Sequence, residues 1–269
     1  MPTNPDPQLA IIGLGKMGRA LLEGILSSSS LQPAQVIGYD AHPPTLESAA
    51  QLGIQLASSA TQAASLSSIA LLCVKPADLA TLVADLAPIS PPRLAISIAA
   101  GIPLSSLESG NSHRWIRAMP NTPALVGRGA SAIARGTSAT QADVDLARDM
   151  LASVGVVEEI PESLMDAVTG LSGSGPAYVY TVIEALADGG CLMGLPKATA
   201  LRLAAQTVAG AAQMVLDTKL HPAALRDQVT SPGGTTIAGL AALESRALRS
   251  ALIEAVQAAA RRSSELADR

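Results

Sequence analysis

Leu9 to Gly18 reads LAIIGLGKMG: four apolar residues, glycines at 13, 15 and 18, then an amphipathic run over Gly18–Leu26. An apolar strand feeding G-x-G-x-x-G and a helix is the arrangement that binds a dinucleotide. Gly13 permits the tight turn, Gly15 removes a side chain where a pyrophosphate approaches, and Gly18 lets helix pack on sheet. The opening turn of that helix presents unpaired N–H groups to the phosphates.

Further strands are expected at Val36–Tyr39, Ile69–Val74 and Leu94–Ala99, with helical segments such as Pro44–Leu52 between them. Such a rhythm predicts a parallel sheet covered on both faces. Trp115–Arg117 and Ala130–Ala134 add later strands, Ala139–Val154 a helix, and Val156–Glu159 a strand near an edge. Past Pro161 the pattern turns helical: Asp166–Leu171, Pro176–Gly189, Pro196–Leu216, Ala223–Val229 and Ile237–Leu266, separated by Gly, Pro or His-Pro. The expected organisation is a Rossmann-like dinucleotide-binding domain over 1–161 and an all-α dimerisation and substrate-binding domain over 162–269.

The 269 residues carry a formal net charge of -4, which gives no basic field for nucleic acid or anionic lipid. Mean hydropathy is positive, yet Arg202, Gln206 and Gln213 interrupt the long apolar run 201–216, so no membrane span is expected. Hydrophobic residues make up 48% with no Phe and one Trp, so packing rests on aliphatic and close Ala contacts; Ala-rich helices bury little alone, which favours completion by a second copy. Cys73 and Cys191 read as free thiols and, with a polar N-terminal stretch, point to a cytoplasmic location. Neither these cysteines nor His42, His113 and His221 have metal-ligand spacing, so no metal is expected.

Asp40 closes the second strand, 22 residues beyond Gly18, where a carboxylate can bind the adenosine ribose. It would also repel a 2′-phosphate by roughly 1–3 kcal/mol at about 5 Å, which leans to NADH. Its alternative role is to cap the following turn. Val74, Lys75 and Pro76 follow a strand at the carboxyl edge where open sheets bind ligands, though Lys75 can equally be a solvated loop residue. Asn121, in the rigid turn RAMPNTP, either orients a ligand or ties the turn to its own backbone.

At the other end, DQVTSPGGTTIAG over 227–239 sets two glycines and several hydroxyls at a turn between helical segments. Such a turn can aim N–H and hydroxyl groups at a small anion. It can also be helix punctuation, with Thr235 or Thr236 as cap.

The combined motifs IIGLGKMGRALLEG, VKP (74–76), RAMPNTPALVGRG, DAVTGLSGSGPAYVYTVIEALADGG, GLPKATALRLAAQTVAGAAQM, HPAALRDQVTSPGGTTIAGLAALE and AVQAAARRSSEL run in order through nearly the whole chain. Together they resemble the pyrroline-5-carboxylate reductase family. The resemblance implies hydride transfer from NADPH or NADH to the C=N bond of 1-pyrroline-5-carboxylate, giving L-proline in the last step of proline biosynthesis. It implies an interlocked homodimer that assembles further, commonly into a decamer. By position, Gly13, Leu14, Gly15, Lys16 and Met17 would hold the cofactor phosphates. Val74, Lys75 and Pro76 would border its path, and Ala99 and Ala100 would lie near the nicotinamide. Ser231, Gly234, Thr235 and Thr236 would bind the substrate, with Thr236 the catalytic hydroxyl beside the ring nitrogen. Family members usually favour NADPH or use both nicotinamides, and Asp40 departs from that tendency.

Three other readings compete. A β-hydroxyacid dehydrogenase would want a helical lysine near the domain junction, and 166–187 contains none. A reductase of another imine or ketone differs only in pocket size. A non-enzymatic NAD(H) sensor would not need the 231–236 hydroxyls.

Overall fold

The computed structural model describes residues 7–28 and 30–267 and falls into two compact units. One runs to Ser174 and takes back the chain from Ala258; the other is Gly175–Gln257.

The first unit is built on β1 (Leu9–Ile12), β2 (Val36–Tyr39), β3 (Gln55–Leu56), β4 (Ile69–Leu72), β5 (Leu94–Ser97), β6 (Arg114–Met119), β7 (Gly129–Arg135) and β8 (Gly155–Glu159). Among the described residues these form one sheet in the order β3-β2-β1-β4-β5-β6-β7-β8. Its helices are α1 (Lys16–Ser27), α2 (Pro43–Ala50), α3 (Ala60–Ser65), α4 (Pro76–Leu86), α5 (Leu104–Glu108) and α6 (Gln141–Ala152). β3 through β6 pair in parallel. The order 3-2-1-4-5-6 is that of the doubly wound dinucleotide fold, and its direction reverses between β1 and β4.

The expected parallel sheet runs as far as β6, and β7 departs from it by pairing antiparallel to β6. Residues 120–128 make only a short 3-10 turn over Thr122–Val126. A parallel return needs a crossover of a dozen or more residues, so this link can only double back. β8 then pairs in parallel with β7 at the sheet's edge, as its sequence position implied.

Alternation along the strands fills both faces. Leu9 and Ile11 join Leu21, Leu22 and Ile25 of α1 and Val144, Ala147 and Leu151 of α6 on one side. Ala10 and Ile12 join Leu72, Leu79, Leu86, Leu107 and Trp115 on the other. Full burial of one such aliphatic side chain stabilises by about 1.5–3 kcal/mol. Trp115 satisfies its ring N–H on Asn111 Oδ1 at 2.8 Å. Thr140 and Asp143 form a reciprocal cap on α6, and Asp143 also takes Arg114 through both its oxygens at 3.0–3.1 Å. Burial alone would raise the Asp143 carboxyl; Arg114 and the Thr140 amide and hydroxyl outweigh it and hold it below the ordinary carboxylate value.

Met165 is buried in the second of these cores. The segment after β8, α7 (Met165–Val168) with a π turn over Thr169–Gly173, packs with the sheet unit, and the two compact units divide at 174/175.

The second unit holds α8 (Gly175–Leu192), α9 (Lys197–Thr218), α10 (Pro222–Gln228), α11 (Thr235–Ser245) and the first part of α12 (Leu248–Ala267). The single helix expected over 237–266 is broken, because Ala247 turns to φ 54 between α11 and α12. α8 and α9 pair closely at small residues: a Cβ on Gly190 would stand 3.2 Å from that of Ala200. The buried core of this unit is Ala187, Ala200 and Ala204, with Ile183 and Cys191 against it.

Candidate active site

The ends of β1 and β4 open into a cleft of about 770 Å³ at the point where the strand order reverses. Gly13, Gly15, Lys16, Met17, Asp40, Val74 and Lys75 all line it. Gly13 holds φ +93, and a Cβ there would sit 2.7 Å from the Cys73 carbonyl oxygen; one on Gly18 would collide with the Gly13 carbonyl. Gly15 differs. A Cβ on it meets nothing within 4 Å, so its missing side chain keeps space open, and it serves as the uncapped N-cap of α1. The N–H groups of Lys16 and Met17 have no intrahelical acceptor at that helix start, which suits a diphosphate. The cleft therefore fits a dinucleotide, with the two lysines as its flanking cations.

Leu14 lines no part of the cleft. Its side chain is buried against Gly38, and its N–H is donated to Asp40 Oδ2 at 2.7 Å. Asp40 Oδ1 accepts from His42 N–H at 2.8 Å. Asp40 thus caps the turn after β2 and also lines the cleft. Pro76 opens α4, whose Ala77, Asp78 and Thr81 line the cleft; Ala99 is buried beyond β5 and Ala100 exposed, and neither lines the cleft. Cys73 also lines it, a free thiol that desolvation pushes up to about 12, which keeps it protonated at neutral pH. Cys191 is also free.

Asn121 resolves in favour of the backbone: its carbonyl oxygen accepts Ala130 N–H at 2.8 Å and its amide donates to Ser172 O at 3.0 Å. That ties the β6–β7 turn to the π turn, whose Ser174 N–H reaches Thr169 O at 2.8 Å. The sequence reading missed Arg117 and Glu162, which form a largely buried ion pair at 3.0 Å; the same Glu162 oxygen accepts Leu104 N–H at 2.6 Å. It also passed over α4, although Leu79, Leu82, Val83 and Leu86 behind a first-turn proline were signal enough.

In the helical unit, Ser231 leads into a turn at Gly233, φ +67, and Gly234 N–H returns to Ser231 O at 3.1 Å. Gly234 is the N-cap of α11, and no side chain caps that helix. Thr235 and Thr236 are its first two residues, Thr236 half-buried. The hydroxyls of Ser231, Thr235 and Thr236 make no bond among the described residues, so the reading of either threonine as a helix cap is set aside. Free N–H groups and free hydroxyls together make a donor site for a small carboxylate.

Residues 162–266 match the family model for pyrroline-5-carboxylate reductase dimerisation. Residues 8–101 match that of "NADP oxidoreductase coenzyme F420-dependent". The pyrroline-5-carboxylate reductase of Synechocystis is 48% identical over 96% of this chain and 98% of its own. The solved structure of the reductase from Coxiella burnetii superposes with TM-score 0.92 at 33% identity, over 97% of this chain and 99% of that one. The Plasmodium falciparum pyrroline carboxylate reductase, solved with NADP bound, gives 0.86 at 32% over 97% and 98%.

The chain belongs to the pyrroline-5-carboxylate reductase family. It is an NAD(P)H-dependent oxidoreductase that acts on a cyclic imine. Among the described residues no helix is long and apolar enough to cross a membrane, and no group of three His, Cys, Asp or Glu could hold a metal ion. The dimerisation match coincides with a helical unit that leaves Leu186, Leu201, Leu203, Met214 and Leu216 exposed, and the protein self-associates as a homodimer.

Proposed function

We propose that this chain reduces 1-pyrroline-5-carboxylate to L-proline with Gly13, Gly15, Lys16 and Met17 holding the cofactor diphosphate and the 231–236 loop holding the substrate. One observation carries the second half: the start of α11 is uncapped, and three free hydroxyls surround it. The substrate carboxylate is the natural acceptor for the N–H groups of Thr235 and Thr236, where the helix end adds about 0.3–1 kcal/mol. The nicotinamide, when bound, supplies a hydride to the imine carbon. A protonated imine is already electrophilic and its product is an amine, so the site needs no strong acid. Thr236 accordingly orients the ring nitrogen, donating to the imine or accepting from the iminium, and can relay a proton. Val74, Lys75 and Pro76 border the cofactor's path, and Ala99 and Ala100 lie near the nicotinamide.

Preference between the nicotinamides turns on Asp40. Its carboxylate on the cleft wall disfavours a 2′-phosphate by roughly 1–3 kcal/mol, which supports NADH over NADPH. Two free thiols support a cytoplasmic location, and the family resemblance supports assembly of dimers up to a decamer. A helical substrate and dimerisation domain over 162–269, following a nucleotide domain over 1–161, agrees with the span of the dimerisation match.

The test is the initial rate with 1-pyrroline-5-carboxylate, in parallel with NADH and NADPH, for the wild type and Asp40→Ser. Wild-type kcat/KM is expected to be higher with NADH, and the variant should shift the ratio towards NADPH by about tenfold. An unchanged ratio would remove Asp40 from the discrimination, and no turnover with either cofactor would overturn the substrate.

A further inference from the structure

We propose that Asp40 is also a positioning residue for the diphosphate loop, setting the loop's backbone through Leu14 independently of any contact with the ribose. The proposal rests on the cleft being the dinucleotide site. β2 holds the glycine loop at two successive amides. Gly13 N–H goes to Tyr39 O at 2.8 Å, and Leu14 N–H goes to Asp40 Oδ2 at 2.7 Å. The second carboxylate oxygen is anchored by His42 N–H at 2.8 Å, so the group that fixes Leu14 is itself fixed. With these two amides turned towards β2, those of Lys16 and Met17 at the start of α1 are left facing the cleft they line.

With one amide on each side-chain oxygen, this arrangement needs a carboxylate. An Asn side chain has one acceptor oxygen and would turn its NH₂ against the other N–H. Hydrogen bonds to a charged acceptor are the stronger kind, so losing one should loosen the loop measurably. Charge acts in the opposite direction. Removing a negative charge beside a doubly negative diphosphate should by itself tighten binding. The sign of the change therefore separates positioning from simple electrostatics.

The experiment measures Kd for NADH and for an NADH analogue built on 2′,3′-dideoxyadenosine, which has no adenosine-ribose hydroxyls, using wild type and Asp40→Asn. Binding is read by quenching of the Trp115 fluorescence or by calorimetry, without turnover. Positioning predicts that Asp40→Asn weakens the analogue by about tenfold. Asp40→Glu keeps the charge but displaces both oxygens by one methylene, and should weaken it as well; thermal melts of both variants check the fold. If the analogue binds the wild type and Asp40→Asn equally, or the variant more tightly, while NADH alone is weakened, Asp40 acts only on the ribose and the proposal is wrong. If wild-type protein binds neither NADH nor NADPH, the dinucleotide reading of the cleft fails first, and this inference with it.

Discussion

The sheet unit and the helical unit solve burial differently. In the first, both faces of the sheet are covered by its own helices, and residues such as Ile11, Leu22, Leu72 and Trp115 are sealed from solvent. In the second, three alanines form the buried core, while large aliphatic side chains such as Leu203 and Leu216 stand exposed on the isolated chain. The same apolar composition thus produces one self-sufficient core and one that a second copy must complete. The candidate sites divide in the same way: the cleft belongs to the sheet unit, and the hydroxyl-bearing loop to the helical one.

The largest effect expected from probing this contrast is within the glycine loop. Gly15→Val projects a side chain into open space, so melting temperature should hold while cofactor Kd rises at least ~100-fold, about 2.7 kcal/mol. Wild-type affinity in that variant would mean the diphosphate lies elsewhere. Next comes the helical unit. Leu203→Glu on the surface of a monomer would change stability by less than about 0.5 kcal/mol. Here it is expected to dissociate the dimer and lower the melting temperature, as read by light scattering; an intact dimer would show that α9 is not the seam.

The smallest effect concerns the sheet unit's own stability. Asp143 is held below its ordinary value by Arg114 and Thr140 despite burial. The sign follows: its contribution is complete above the unfolded pKa of about 3.9 and disappears as pH falls through the lower folded value. Asp143→Asn should therefore cost about 1–2 kcal/mol at neutral pH and progressively less below about pH 4, by denaturant melts. An equal cost at both pH values would indicate that the carboxylate charge contributes nothing.

The fold was legible where one physical rule decides it. Leu9–Ile12 and Val36–Tyr39 were readable residue for residue, because apolar runs bounded by turn signals leave little choice. β7 was readable as a strand but not in its direction, which depends on the length of the 120–128 link. The break at Ala247 carries no glycine or proline, so local preference reads straight through it. At the site, Gly13, Gly15 and Gly18 announce their roles by spacing. Leu14 and Asn121 do not: spacing cannot tell a backbone N–H or a side-chain amide spent inside the protein from one offered to a ligand. Arg117 and Glu162, 45 residues apart, meet only after the sheet is assembled.

The division of labour between the two units is tested most directly by Thr236→Ala, with kcat and KM for 1-pyrroline-5-carboxylate and cofactor Kd measured on one preparation. A free hydroxyl on a loop that serves only the substrate predicts kcat/KM down by about 10–100-fold, with cofactor Kd and melting temperature unchanged. Unaltered steady-state constants, or a loss of cofactor affinity of the same size, would contradict it.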